Sequence, residues 1–320
     1  MRFTLQKEDC SLENIGAILT TRLFLRSAEL FRQRELLSLG FLTMRITPLY
    51  DGPIMQFDGE PTDQYRPLFR QRRRLERLAS GLSRDQWKSA SRCQDWSVQD
   101  VVTHLTGVNE FWMFSIANGL DERPTRVLSG FDPARTPDDM VSSLRSKTSE
   151  EILDQFIATN TSLLNSLSQL SEKQWSMLAE APPGHIPIRL VASHALWDSW
   201  VHERDIALPL GLSVPSESDE ISSSLRYVCA LSAAFGQGQK LTAPGFYELF
   251  AQDPEVSFQV EINQTITVHN CPSSLASTTM QGSAVEILEA FSFRTAMPEG
   301  TPIEWLTLMA GLAQVFDAST

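Results

Sequence analysis

Cysteine is scarce in this chain. Its four cysteines (Cys10, Cys93, Cys229 and Cys271) are spread over 320 residues with no C-x-x-C pair. That spacing excludes a disulfide-framed scaffold and suits a reducing compartment, so the cytoplasm is the expected location. Basic charge is short as well: 27 Lys/Arg stand against 39 Asp/Glu, for a net charge of -12. The excess of acid lies beyond residue 86, and an acidic body of this kind repels nucleic-acid phosphates and anionic membrane surfaces. Also missing is any apolar span long enough for a membrane helix. Arg22 and Arg26 interrupt the stretch from Ile15 to Leu25, so no secretory leader is read there. Neither internal repeats nor low-complexity tracts occur, and Gly236-Gln237-Gly238 lacks the strand-before-helix context of a phosphate loop.

The hydrophobic content of 42% is enough to bury a core in each of two ordinary-sized domains. Residues 1–60 form a poorly defined extension, with amphipathic turns around Thr21–Leu37 and a Pro/Gly/Asp-rich stretch from Pro48 to Pro61. They are either a loosely attached segment or the result of a start assigned too early, with Met44 or Met55 as alternatives. From there, helical periodicity runs from about Gln64 to Leu82. Arg66, Arg70, Arg72, Arg73, Arg74 and Arg77 are interleaved with Leu68, Phe69, Leu75 and Leu78, which reads as a solvated helix face. Ser97 and Asp100 fit a capping box that opens a second helix reaching about Leu120. A third helix is expected from about Ser149 to Leu170. Pro182-Pro183-Gly184 precedes a fourth, Ile186–Leu210, which Gly211 ends. The expected bundle therefore covers 61–212.

Beyond it the pattern changes to a helix at Asp219–Phe235, β-type runs at Val256–Ile262 and Thr265–His269, and helices at Ser283–Phe293 and Pro302–Phe316. The fold class expected is α+β overall: a four-helix bundle followed by a small α+β domain over 213–320.

Three of the five histidines matter to the chemistry. His194, Asp198 and His202 share one helix at four-residue spacing, and positions i and i+4 lie about 40° apart around the axis and about 6 Å along it. His194 and His202 are separated by roughly 12 Å of rise, so one adjacent pair plus a ligand from another helix is the better set. His104 supplies it, standing among Val101, Leu105 and Val108 on the face that must point into the bundle. A buried Asp198 without a cation or hydrogen-bonded partner would be costly. Two imidazoles and a carboxylate suit Zn²⁺, with Fe²⁺, Mn²⁺ or Ni²⁺ as other candidates, and three protein ligands leave a position open. His194 reads as support behind the ligands or as a core contact, with substitution as a ligand the third alternative. Cys93 lacks a base that the sequence can name and reads as structural, Trp197 and Trp200 read as packing, and His185 and His269 have no evident partner.

The run from Arg92 through Trp96-Ser97-Val98-Gln99-Asp100-Val101-Val102-Thr103-His104, followed about ninety residues later by Asp198-x3-His202-Glu203-Arg204-Asp205, resembles the mycothiol-dependent maleylpyruvate isomerase family, whose bundle is DinB-like. Gln281–Leu288 is similar to the family's C-terminal domain. The resemblance implies zinc held by His104, Asp198 and His202, with Asp198 standing where the family pattern has Glu. It implies as cofactor mycothiol or another low-molecular-weight thiol, made nucleophilic on the metal, and as substrate a small electrophile such as maleylpyruvate. Arg294 is the positional match for an arginine that binds the substrate carboxylate; a helix-end arginine paired with terminal carbonyls is the other reading of it. A non-catalytic, metal-binding interaction protein on the same scaffold is the alternative function. Nucleic acid and membranes are not expected partners, and the sequence leaves the oligomeric state open.

Overall fold

The computed structural model describes residues 48–58, 65–133, 135–270 and 278–316, all within one unit spanning Arg45–Thr320. Cys10, Cys271, the turns around Thr21–Leu37 and the alternative start at Met44 lie outside the described residues. The short strand β1 (Met55–Phe57) comes first. It is followed by α1 (Tyr65–Ser80), α2 (Arg84–Lys88), α3 (Val98–Leu120), α4 (Thr136–Leu144), α5 (Ser149–Ser168) and α6 (Glu172–Trp175). A two-stranded hairpin of β2 (Leu178–Ala181) and β3 (Gly184–Pro187) leads into α7 (Ile188–Ala207). The remainder is α8 (Ser218–Gly238), β4 (Gly245–Gln252), β5 (Val256–Ile262), β6 (Ile266–His269), β7 (Thr278–Ser283), α9 (Ala284–Phe291) and α10 (Ile303–Phe316).

Helices α1, α3, α5 and α7 form the bundle. Its starts are set by local chemistry: the Ser97 hydroxyl accepts the Asp100 N–H at 3.2 Å while the Asp100 carboxylate accepts the Ser97 N–H at 2.9 Å. Thr148 and Glu151 repeat that box at the start of α5. Helix α7 packs against α1 and α3 on one side and α8 on the other, and eighteen of its twenty residues are buried. A helix buried on nearly every face keeps its side chains from water, so charged residues on α7 must be paired or bound.

The second layer is a five-stranded sheet ordered β1-β6-β5-β4-β7, in which β5 is antiparallel to both neighbours while β1 and β7 run parallel to theirs. Met55, Gln56 and Phe57 pair with Ile266, Thr267 and Val268, so these three residues of the N-terminal segment complete the sheet formed by the C-terminal strands. The same segment is tied to the hairpin by Leu49 N–H donating to Pro183 O at 3.0 Å and His185 N–H donating to Leu49 O at 3.1 Å. Gly184 makes that approach possible. Its φ is +129°, and a Cβ there would lie 1.9 Å from the Leu49 carbonyl oxygen. One continuous apolar core runs from Trp112 and Leu163 in the bundle through Tyr227 of α8 to Val260, Phe291 and Trp305.

Candidate metal centre

Helix α7 carries Asp198 and His202 one turn apart, and α3 brings His104 to the same point. The Asp198 Oδ1 atom lies 3.8 Å from His104 Nε2 and 3.5 Å from His202 Nε2. One ligand atom from each residue falls within 4.8 Å of the others. The side chains retain 12%, 14% and 11% exposure for His104, Asp198 and His202, so the cluster keeps some contact with solvent. Trp96, just before α3, stands beside the His104 ring with centroids 5.3 Å apart.

Asp198 Oδ2 and His104 Nδ1 are buried with no hydrogen-bond partner among the described residues, a costly condition for a carboxylate oxygen. Burial pushes the Asp198 pKa up, but the charges and hydrogen bonds of His202 and His104 outweigh it and hold the carboxyl well below its usual range. The response is split between the imidazoles. Burial lowers His104, whereas at His202 the Asp198 charge and the Asp198 and Asp205 hydrogen bonds overcome burial and raise the pKa. Two imidazole nitrogens and an under-satisfied carboxylate in a partly exposed cluster fit a borderline divalent ion.

Behind His202 lies a second layer of contacts. Its Nδ1 is 3.0 Å from Asp205 Oδ2, and Asp205 in turn accepts from Arg294 Nε and Nη2 at 2.8 and 2.7 Å and from Arg92 Nε at 3.0 Å. Arg92 continues to Glu289 at 2.8 Å, which also pairs with Arg204. Burial works against ionisation of Asp205, but Arg294 and His202 reverse it and hold the carboxyl far below its ordinary value. This is the arrangement in which a carboxylate would fix the tautomer of a metal-bound histidine, with the proton on Nδ1 and the Nε2 lone pair left for an ion. The Cys93 thiol also meets this layer, donating to Asp205 Oδ2 at 3.2 Å and lying 3.7 Å from His202 Nδ1. Cys93, His202 and Asp205 form a second group of candidate donors. Its carboxylate already serves two guanidinium ions, so the first trio is the better cation site.

Residues 68–207 match the family model described as the mycothiol maleylpyruvate isomerase N-terminal domain. The matched stretch is the bundle, which is similar to that domain. The match runs from the first turn of α1 to the last residue of α7 and so contains His104, Asp198, His202 and Asp205, while Arg294 lies outside it. Two solved structures, of the mycothiol-dependent maleylpyruvate isomerase and of a histidine-to-alanine mutant of it, share the fold. Their TM-scores are 0.53 and 0.54, at 13% and 12% identity, and each alignment covers 77% of this chain and 97% of that one. No curated protein matches the sequence.

The sequence-derived residues fall as follows. His104, Asp198 and His202 come together. His194 does not join them: its Nδ1 is 2.7 Å from the Tyr227 hydroxyl, and Trp112 and Trp197 stand against its ring. It is a core contact. Arg294 reaches the cluster's rear through Asp205. His269 takes Asp58 and Glu261 as partners at 2.8 Å each, and His185 Nε2 meets Thr125 O at 2.8 Å. The arginine-rich face of α1 requires correction, because α8 covers part of it. Arg70 and Arg74 pair with Glu220, Arg74 also with Glu203, and Arg72 is fully buried. Asp205 and Arg92 were visible in the sequence only as members of the flanking motifs. The signal that singles Asp205 out is its i+3 position from His202.

Proposed function

We propose that the chain is a metal- and thiol-dependent enzyme of the maleylpyruvate isomerase type, acting on a small electrophile. The observation that carries the reading is the meeting of His104, Asp198 and His202 from two helices at a partly exposed point, with Asp198 Oδ2 left unpartnered. In this reading the three side chains hold one divalent ion, zinc first among the candidates, and mycothiol or another low-molecular-weight thiol is the cofactor. When bound, such an ion supplies Lewis acidity, which lowers the pKa of a thiol enough to provide a thiolate at neutral pH.

The chain's own residues do the rest. Asp205 holds the His202 proton on Nδ1, and Arg92 and Arg294 hold Asp205. Arg294 enters with a changed role. Its Nε and Nη2 are engaged by Asp205 and its Nη1 by Ser292 O, so a substrate carboxylate would have to compete with Asp205 for it. Arg294 is accordingly a positioning residue that acts through Asp205. That engagement also favours the second reading, a non-catalytic metal-binding interaction protein on the same scaffold. The two separate in an assay of thiol addition to maleylpyruvate by metal-replete protein, with and without mycothiol. Thiol-dependent isomerisation supports the enzyme; a metal-replete protein inert toward maleylpyruvate and other electrophiles selects the second reading.

A further inference from the structure

Arg72 is among the largest fully buried side chains of the protein. Its Nη2 donates to Ala195 O at 3.0 Å, while Nε and Nη1 have no hydrogen-bond partner among the described residues. A buried guanidinium with most of its donors unused needs a nearby anion. The contact with Ala195 places the guanidinium against α7, one turn before Asp198. In an α-helix the carbonyl of residue i points toward the N–H of residue i+4, so the Ala195 oxygen points along α7 toward the turn that carries Asp198 and Ser199. Residues i and i+3 are neighbours on the helix surface. Asp198 Oδ2 is the buried acceptor left over there.

The other carboxylate close enough to act on Arg72 is Glu76, and it is already engaged, accepting from Asn160 Nδ2 at 2.6 Å and Arg73 Nη1 at 2.7 Å. Burial pulls the Arg72 pKa down to about 10, and among the charges opposing that pull Asp198 comes before Glu76. The guanidinium is still charged at neutral pH.

We propose that Arg72 is the buried counter-cation of Asp198, and that it competes with a divalent ion for that carboxylate. The pairing itself requires no metal. The competition rests on the reading that the trio holds one: a fixed positive charge near a divalent ion repels it, and repulsion is strong where water is excluded. This position of the bundle then sets metal affinity without contributing a ligand.

Two measurements on the full-length protein test the two halves separately. The first is a double-mutant cycle in the metal-free protein, read as melting temperature. Arg72→Met is expected to be several degrees more damaging in the native background than in Asp198→Asn, and Arg72→Met with Glu76→Gln serves as control. Equal effects in both backgrounds, or a larger coupling to Glu76, would overturn the pairing. Should Arg72→Met fail to fold, its rescue by Asp198→Asn supports the pairing, and Arg72→Lys, which keeps the charge, completes the cycle if both methionine variants fail. The second measurement is Zn²⁺ affinity by competition with a chromophoric chelator. Arg72→Met is expected to bind at least ~10-fold more tightly than native protein. Unchanged or weaker binding overturns the competition even if the apo cycle shows coupling. Absence of Zn²⁺ binding by the native protein defeats the metal reading and the competition with it, and leaves the pairing to the apo cycle.

Discussion

At the residue scale the site depends on one imidazole being held in one tautomer. Asp205 does this for His202, and two arginines keep Asp205 anionic and fixed. Asp205→Asn can offer its NH₂ instead of a carboxylate oxygen, which frees the His202 proton to move to Nε2 and block coordination. Metal affinity is expected to drop about 10- to 100-fold, measured by titration of the metal-free protein; affinity within a factor of two of native would count against this role. The clustered trio itself was legible from spacing, since His104 lies on an apolar face and Asp198 and His202 share a helix. Cys93 was not legible as a neighbour of the site. Its contact with Asp205 joins residues 112 apart in sequence, and no local pattern reports such a meeting.

At the level of elements, the bundle helices follow from capping and periodicity, which are local and so can be read from the chain. The Ser97/Asp100 box and the end of α3 at Leu120 fall where the sequence reading places them. Strands β1, β2, β3, β4 and β7 were not legible. Strands β1, β2 and β3 are only three or four residues long, too short for alternation to show, and β1 forms only because β6 offers it an edge. The arginine face of α1 failed for a related reason: amphipathic periodicity marks which residues are polar, but only tertiary structure reveals that Glu203 and Glu220 cover them. Gly184 is the element-level position most exposed to test. Gly184→Ala places a Cβ against the Leu49 carbonyl and demands a φ that alanine resists. We expect a loss of at least ~2 kcal/mol in denaturant unfolding and easier proteolysis around residues 48–58. Native-like stability would mean that the Leu49 contact contributes little.

Across the whole molecule, the layers share one core, and the charges buried in it make stability depend on pH. Burial depresses the His194 pKa from 6.5 to about 4. On acidification the unfolded chain therefore takes up this proton first, and stability declines as pH falls from 6.5 toward 4. The expected loss is about 3 kcal/mol for this group. His104, also depressed, acts in the same direction, whereas the raised His202 contributes stability that is lost on the alkaline side. Urea titrations of metal-free protein at pH 6.5, 5.5 and 4.5 should show this decline, and His194→Gln should make it shallower; parallel curves for the two proteins would remove His194 from the account. The fold is shared with the maleylpyruvate isomerase structures at 12–13% identity, and on such a scaffold it is the site, not the architecture, that decides function. The central claim is therefore the metal, and elemental analysis of the purified protein addresses it directly. Native protein is expected to hold close to one divalent ion per chain, while His104→Ala and His202→Ala, folded by circular dichroism, lose it. Full retention of metal in both variants, or its absence from native protein supplied with Zn²⁺, would contradict the account.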